Sequence, residues 1–354
     1  MAAYRPSLAQ ARQFAQLIEN LEPEVWRAFM ASVNDLQSNV DWRALLDALE
    51  QMDITAAIAA LHIDEAAWAE YSSTMTDVFA KAGASTAAQI RQSGAADIGI
   101  RFRMTNPGAQ EWIAENVANK VVGFTQDQIA SARALIEAGY ARGQGPTNIA
   151  VDLAGRSMGG SVRAGGILGL DGPRAARLDA VTQGMRTVDG VRSLVIEHAD
   201  GNISLRYRVN KATAQRIIRA FKAGTEVPSD ERLISERQYK NALLKDRADT
   251  IAETETANAV MGARDEQWHQ LAQSQGLDAS AVIKTWRHRR GAVKDYRPDH
   301  LAMSGKSVRG LNTPFEFPDG VQMQYAHDPA GGAKHNIRCG CDTEYRIDHS
   351  VGLK

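Results

Sequence analysis

The chain has only two cysteines in 354 residues, Cys339 and Cys341, with one residue between them. That scarcity excludes a secreted disulfide scaffold, and the spacing makes a bridge within the pair strained; a reducing compartment fits. Long apolar runs are missing too. No stretch reaches the roughly 18–20 residues that a membrane span needs, so no membrane partner is expected. Met1-Ala-Ala-Tyr-Arg5 leads into Gln, Arg and Glu, and no signal peptide is expected there. An excess of one charge is absent, with 41 Lys and Arg against 42 Asp and Glu. General nucleic-acid coating of the histone kind is thereby excluded. There is no His-Glu-x-x-His pair, and no Gly-Lys-Ser/Thr follows the glycine run at 159–172. Zinc-protease and phosphate-loop signatures are therefore lacking. No repeat or low-complexity tract is evident.

What is there is the composition of a folded protein, 44% hydrophobic and 23% charged. Its length implies two or three domains. The pattern predicts a mostly α, multi-helix protein with a β-hairpin insertion and a small, loop-rich α+β domain at the C-terminus. Residues 1–120 form the expected helical docking domain. Leu8, Ala11, Phe14, Leu17 and Ile18 recur at helical spacing, and Pro23 is placed to open a second helix carrying Trp26, Phe29 and Val33. Asp64 is a cap for a helix through Trp68, Tyr71 and Phe79, and Asn106-Pro107 opens another.

Residues 121–275 form a second expected helical domain. Thr125 and Gln128 have capping-box spacing, and Thr147 is a cap for a short helix to Leu153. The glycine-rich stretch 159–172 reads as a flexible or ligand-free loop. Residues 193–209 read as a hairpin turning at Asp200-Gly201. Helix is expected over 231–275, broken near Asp246. Residues 276–354 lose helical periodicity, with strands expected at 282–286 and 343–347. So small a domain needs a staple.

Three constellations could carry chemistry. Glu253-Thr-Glu255 matches the paired glutamates of many ADP-ribosyltransferases, but on a helix residues two apart point roughly 200° from each other. A basic stretch at 284–309 holds Lys284, Arg287, Arg289, Arg290, Lys294 and Arg297 with Trp286 and Tyr296 interleaved. Cations and planar rings suit a phosphate backbone or an acidic protein surface, and a solvated loop is the plain alternative. Cys339 and Cys341, with His300 as the best-placed third ligand, could hold zinc; His327 and His335 compete for the fourth position. The plain alternative is a pair of packed thiols.

Ile251-Ala-Glu-Thr-Glu-Thr-Ala257, followed by Gly262, Ala263, Arg264 and Trp268, resembles a helix of the phage head-morphogenesis (minor head) family, which includes protein F of phage Mu. The family's C-terminal motif follows in order here as Trp286, Arg297, His300, Gly305, Phe315, Pro318, Pro329, Cys339 and Cys341. The resemblance covers 124–347. It departs at Arg338-Cys339-Gly340-Cys341, where the family has Asn-Cys-Arg-Cys. The resemblance implies a non-enzymatic virion protein, made in the host cytoplasm, that acts in head assembly. Its implied partners are the portal or major capsid protein and, in some members, packaged DNA. The competing expectation is a phage-delivered effector, ADP-ribosyltransferase-like or nuclease-like.

Overall fold

The computed structural model describes residues 8–93, 99–159, 162–288, 297–348 and 350–351. It is mostly helical, with small antiparallel sheets. No described helix is long and apolar enough to cross a membrane.

Several helices run through positions where the sequence suggested a boundary. Helix Leu8–Ser38 contains Pro23 in its interior. A mid-helix proline costs about 3 kcal/mol. Phe14, Leu21, Val25 and Phe29 are all buried on either side of it, and each such burial contributes about 1.5–3 kcal/mol. The stripe therefore outweighs the lost donor. Helix Asn119–Ala141 follows directly on a π-helical turn, Ala114–Ala118, so no free N-terminus exists at Thr125 for a capping box. Thr147 likewise is not a cap, because Gly145 holds that place before helix Pro146–Ala154. Helix Ser229–Gln275 is continuous over 47 residues. An Asp inside a helix costs only about 0.5 kcal/mol relative to Ala, and Asp246 pairs outward with Arg174. Nothing there removes an N–H or a Cβ, so the expected break does not form. Gly276, at φ +60°, ends the helix.

Packing groups the chain into two compact units, each discontinuous in sequence, rather than three consecutive domains. One comprises Met30–Ala69 and Val121–Ala248. It contains the expected hairpin, Val195–Glu197 paired with Ile203–Leu205, turning through Gly201 at φ +80°. From Gly165 to Leu170 its glycine-rich stretch is packed, not flexible. Gly165, Gly166 and Gly169 are buried at φ +84°, +70° and +89°. Side chains bind their backbone: Lys240 Nζ to Gly165 O at 2.6 Å, Arg247 to Gly169 O at 2.8 Å, and Gly169 N to Gln128 Oε1 at 2.7 Å. Gln128, read as a capping residue, serves this turn instead.

The other unit comprises Met1–Phe29, Glu70–Lys120 and Asp249–Lys354. Its sheet is antiparallel, with Val282–His288 between Ser307–Arg309 and Cys341–Ile347. One apolar cluster joins Ala87, Ile90 and Ile100 to Trp268, Val282 and Tyr345. A second gathers Trp286, Met303, Phe315, Phe317, Met323 and Cys341.

Candidate metal centre

The second cluster surrounds the cysteines. The register of the two long strands sets His288 opposite Cys341. Helix Pro298–Met303, begun by a proline at its first turn, places His300 against the cluster, beside Trp286 and Phe317. Its ring is 1% exposed and meets Trp286 edge-on at 5.7 Å. His300 Nδ1 lies 3.4 Å from Cys341 Sγ and 3.4 Å from Cys339 Sγ. In the Cys-x-Cys turn, Cys339 N donates to Asn336 O and Cys341 N to Cys339 Sγ. Both sulfurs thereby face His300.

The opposite edge of His300 is held as firmly. Its Nε2 lies 3.0 Å from His335 Nδ1, and His335 Nε2 lies 3.0 Å from Asp319 Oδ2. Lys334, and then His335, hold the Asp319 carboxyl well below its usual range, so it stays ionised. The group bonded to the second nitrogen of a metal-binding histidine fixes its orientation; for His300 that group is His335, itself oriented by Asp319.

The ligand atoms of His300, Cys339 and Cys341 all lie within 4.8 Å of one another. A tetrahedral centre with metal–sulfur bonds of about 2.3 Å and metal–nitrogen bonds of about 2.0–2.1 Å sets nitrogen and sulfur about 3.6 Å apart. The observed 3.4 Å fits. The neighbouring Cys341 thiol, and further the His300 hydrogen bond, hold the Cys339 thiol well below its ordinary value. The Cys339 anion and burial push the Cys341 thiol up. The group is thus predisposed to carry thiolate, the form that binds metal.

The other sequence candidates separate. His335 stands behind His300 rather than beside the sulfurs. His327 is buried but is not among the ligand atoms that gather within 4.8 Å, which are those of His300, Cys339 and Cys341. His288 was missed, although its Nδ1 is 3.5 Å from Cys341 Sγ. The two strands were recognised, and their antiparallel register was the signal that would have found it.

Lys284 is not available to DNA or an acidic surface. It lies in the central strand, fully buried, with Nζ bonded to Leu311 O at 2.6 Å and Gln324 O at 2.9 Å. Arg287 pairs with Glu344 at 2.8 Å, and Arg297 donates to Ile337 O. Arg289, Arg290 and Lys294 lie outside the described residues.

Glu255 pairs with Lys120 at 2.8 Å, whereas Glu253 pairs with Arg338 at 3.2 Å, so the two glutamates do not serve one ligand. The chain also carries Gly155-Arg-Ser-Met-Gly159, the pattern of a nucleophile elbow. Here Ser157 is an exposed residue of a two-stranded ribbon, opposite Arg163, and not the strand-to-helix turn that pattern requires. Thr285, Arg287, Ser307 and Glu344 line a cleft on the C-terminal sheet but bond one another.

Comparison with protein-family models, with curated proteins and with solved structures gives no match.

Proposed function

We propose that the chain is a minor head protein of a tailed phage, acting in head assembly at the portal or inner capsid, and that zinc staples its C-terminal region through His300, Cys339 and Cys341. The observation that supports the first reading is convergence. Trp286, His300, Phe315 and Cys341, drawn from across the resembling motif, meet in one cluster. Gly305 N donates to Trp286 O at 2.8 Å, and Arg297 ties down Ile337. A motif spread along the chain thus has a physical reason to occur as a set. Zinc is favoured because two thiolates with imidazole nitrogens suit a borderline-soft ion that prefers four ligands.

The partner is the portal or major capsid protein, with packaged DNA as a further contact. Of the basic stretch, Arg287 and Arg297 remain among the described residues as contributors. The test is co-expression of a tagged chain with the head proteins of its phage. Stoichiometric recovery of portal or capsid protein, together with defective heads when the gene is deleted, is expected. Normal infectious heads without the gene, and no recovered head protein, would overturn the assignment.

A further inference from the structure

Glu22 and Trp26 lie about one turn apart on helix Leu8–Ser38, and Asp249 and Glu253 about one turn apart on helix Ser229–Gln275. Residues four apart share one helix face. The two faces line a groove of about 470 Å³, to which Pro23, Arg27 and Ala252 also contribute. All of these residues belong to one compact unit. Trp26 Nε1 donates to Asp249 Oδ1 at 3.0 Å, so the indole is held in place across the helix pair.

The groove joins two kinds of surface. The Trp26 and Pro23 rings and the Ala252 methyl are apolar, and three carboxylates, Glu22, Asp249 and Glu253, stand around them. Burial raises the Glu22 pKa, and the charges of Glu253 and Glu19 raise it further, so like charges crowd this place. Arg338 pairs with Glu253 at 3.2 Å, but both side chains are well exposed to solvent, and such a pair is weak enough to exchange. A planar cation on an apolar stem answers both surfaces. A guanidinium stacks on an indole and bonds a carboxylate through two parallel N–H groups, while its methylenes cover apolar neighbours. An ammonium is a point charge without that fork.

We propose that this groove docks an arginine-bearing segment of a partner protein, with the guanidinium between Trp26 and the Glu22 and Glu253 carboxylates. Charge complementarity names the cation, and the apolar lining names the segment that carries it. A groove of about 470 Å³ is within the range that encloses a drug-sized group. That is more than one guanidinium, so the arginine enters with an apolar neighbour. Tryptophan and arginine are also the residue types that carry most binding energy at protein interfaces. The occupant is defined by its chemistry, and neither the zinc nor the phage assignment is needed for it.

The test selects a displayed random-peptide library on the full chain, with Trp26→Ala as the counter-selection. The peptides that prefer wild type are expected to share an arginine beside a large apolar residue. One of them, made synthetically with a dye, is then titrated by fluorescence anisotropy. Replacing its arginine with citrulline, the neutral isostere, should weaken binding by about 10-fold or more, as for a hot-spot contact. Because Trp26→Ala also removes packing, Glu22→Gln and Glu253→Gln are the second variants. Each should weaken the peptide by about 3–10-fold, and added salt should weaken it further. Glu22→Gln also relieves the crowding of like charges, so it should raise the unfolding temperature of the free chain while lowering its affinity. Failure to select any peptide that prefers wild type, selected peptides without arginine, a citrulline peptide that binds as tightly, or unchanged affinity in both glutamine variants would overturn the proposal. Spermidine bound as tightly as the peptide would overturn it in favour of a small-cation site. A dimer in sedimentation that Trp26→Ala dissolves would overturn it in favour of a second copy of this chain.

Discussion

At the scale of single residues, the buried lysines show how burial decides what a charge does. Lys240 is enclosed against the glycine turn, and burial lowers its pKa to about 7, with Glu236 opposing the shift. Its folded value lies below its unfolded value, so between about pH 7 and 10 the unfolded chain binds more protons. Stability therefore rises with pH across that window and loses this contribution as pH falls through 7. Glu236, itself raised by burial first and by Asp152 second, is shifted in the opposite sense and lowers the native charge nearby. Chemical denaturation from pH 6 to 10 should show a positive stability slope that is reduced in Lys240→Met. An identical slope in the variant would mean that Lys240 keeps an ordinary pKa. Residue type alone made some of these roles legible and hid others. Cys339, Cys341 and His300 stood out because thiols are scarce and metal chemistry needs them. Lys284 was grouped with surface cations because a charge count carries no information about which strand is central. His327 and His335 could not be ranked, since the distinction between a ligand and the group behind a ligand is purely spatial.

At the scale of elements, helix and strand identity was legible from periodicity, as with the paired strands around Trp286 and the Asp200-Gly201 hairpin. Boundaries were not. Local cap and break signals at Pro23, Thr125 and Asp246 lost to burial on both sides of them. The glycine run was misread for a related reason. Glycine permits flexibility, but it also permits the close approach that a packed turn needs. A Cβ on Gly166 would lie 2.6 Å from Leu153 O, in addition to its positive φ. Gly166→Ala should therefore destabilise its unit by about 2–4 kcal/mol. Gly201 has a similar φ, but its Cβ would meet nothing within 4 Å, so Gly201→Ala should cost only about 1 kcal/mol. Urea unfolding of the two variants checks the contrast; equal losses would mean that the 153–166 contact is not tight.

At the scale of the molecule, the expected domain boundary at 120 would make the N-terminal helices removable. The packing implies otherwise. Ala87, Ile90 and Ile100 share a cluster with Trp268 and Tyr345, and Phe79 stacks on Trp112 at 4.4 Å. Deleting residues before Asn106 should leave these apolar faces bare and give an aggregating product. A soluble, cooperatively unfolding fragment, seen by circular dichroism and sedimentation, would contradict the two-unit grouping. Composition shifts located changes along the chain, but they could not show that one unit is assembled from segments before and after the other. That discontinuity sets a schedule during synthesis. The stretch Val121–Ala248, roughly 130 residues, takes about 6–25 s to emerge at about 5–20 residues per second. For that interval Phe79, Ile90 and Trp112 have already left the ribosome, while Trp268, Val282 and Tyr345 do not yet exist. The interrupted unit must wait with its apolar faces uncovered as the other is made, so a nascent-chain chaperone is most needed in those seconds, and the histidine–cysteine cluster can close only after them.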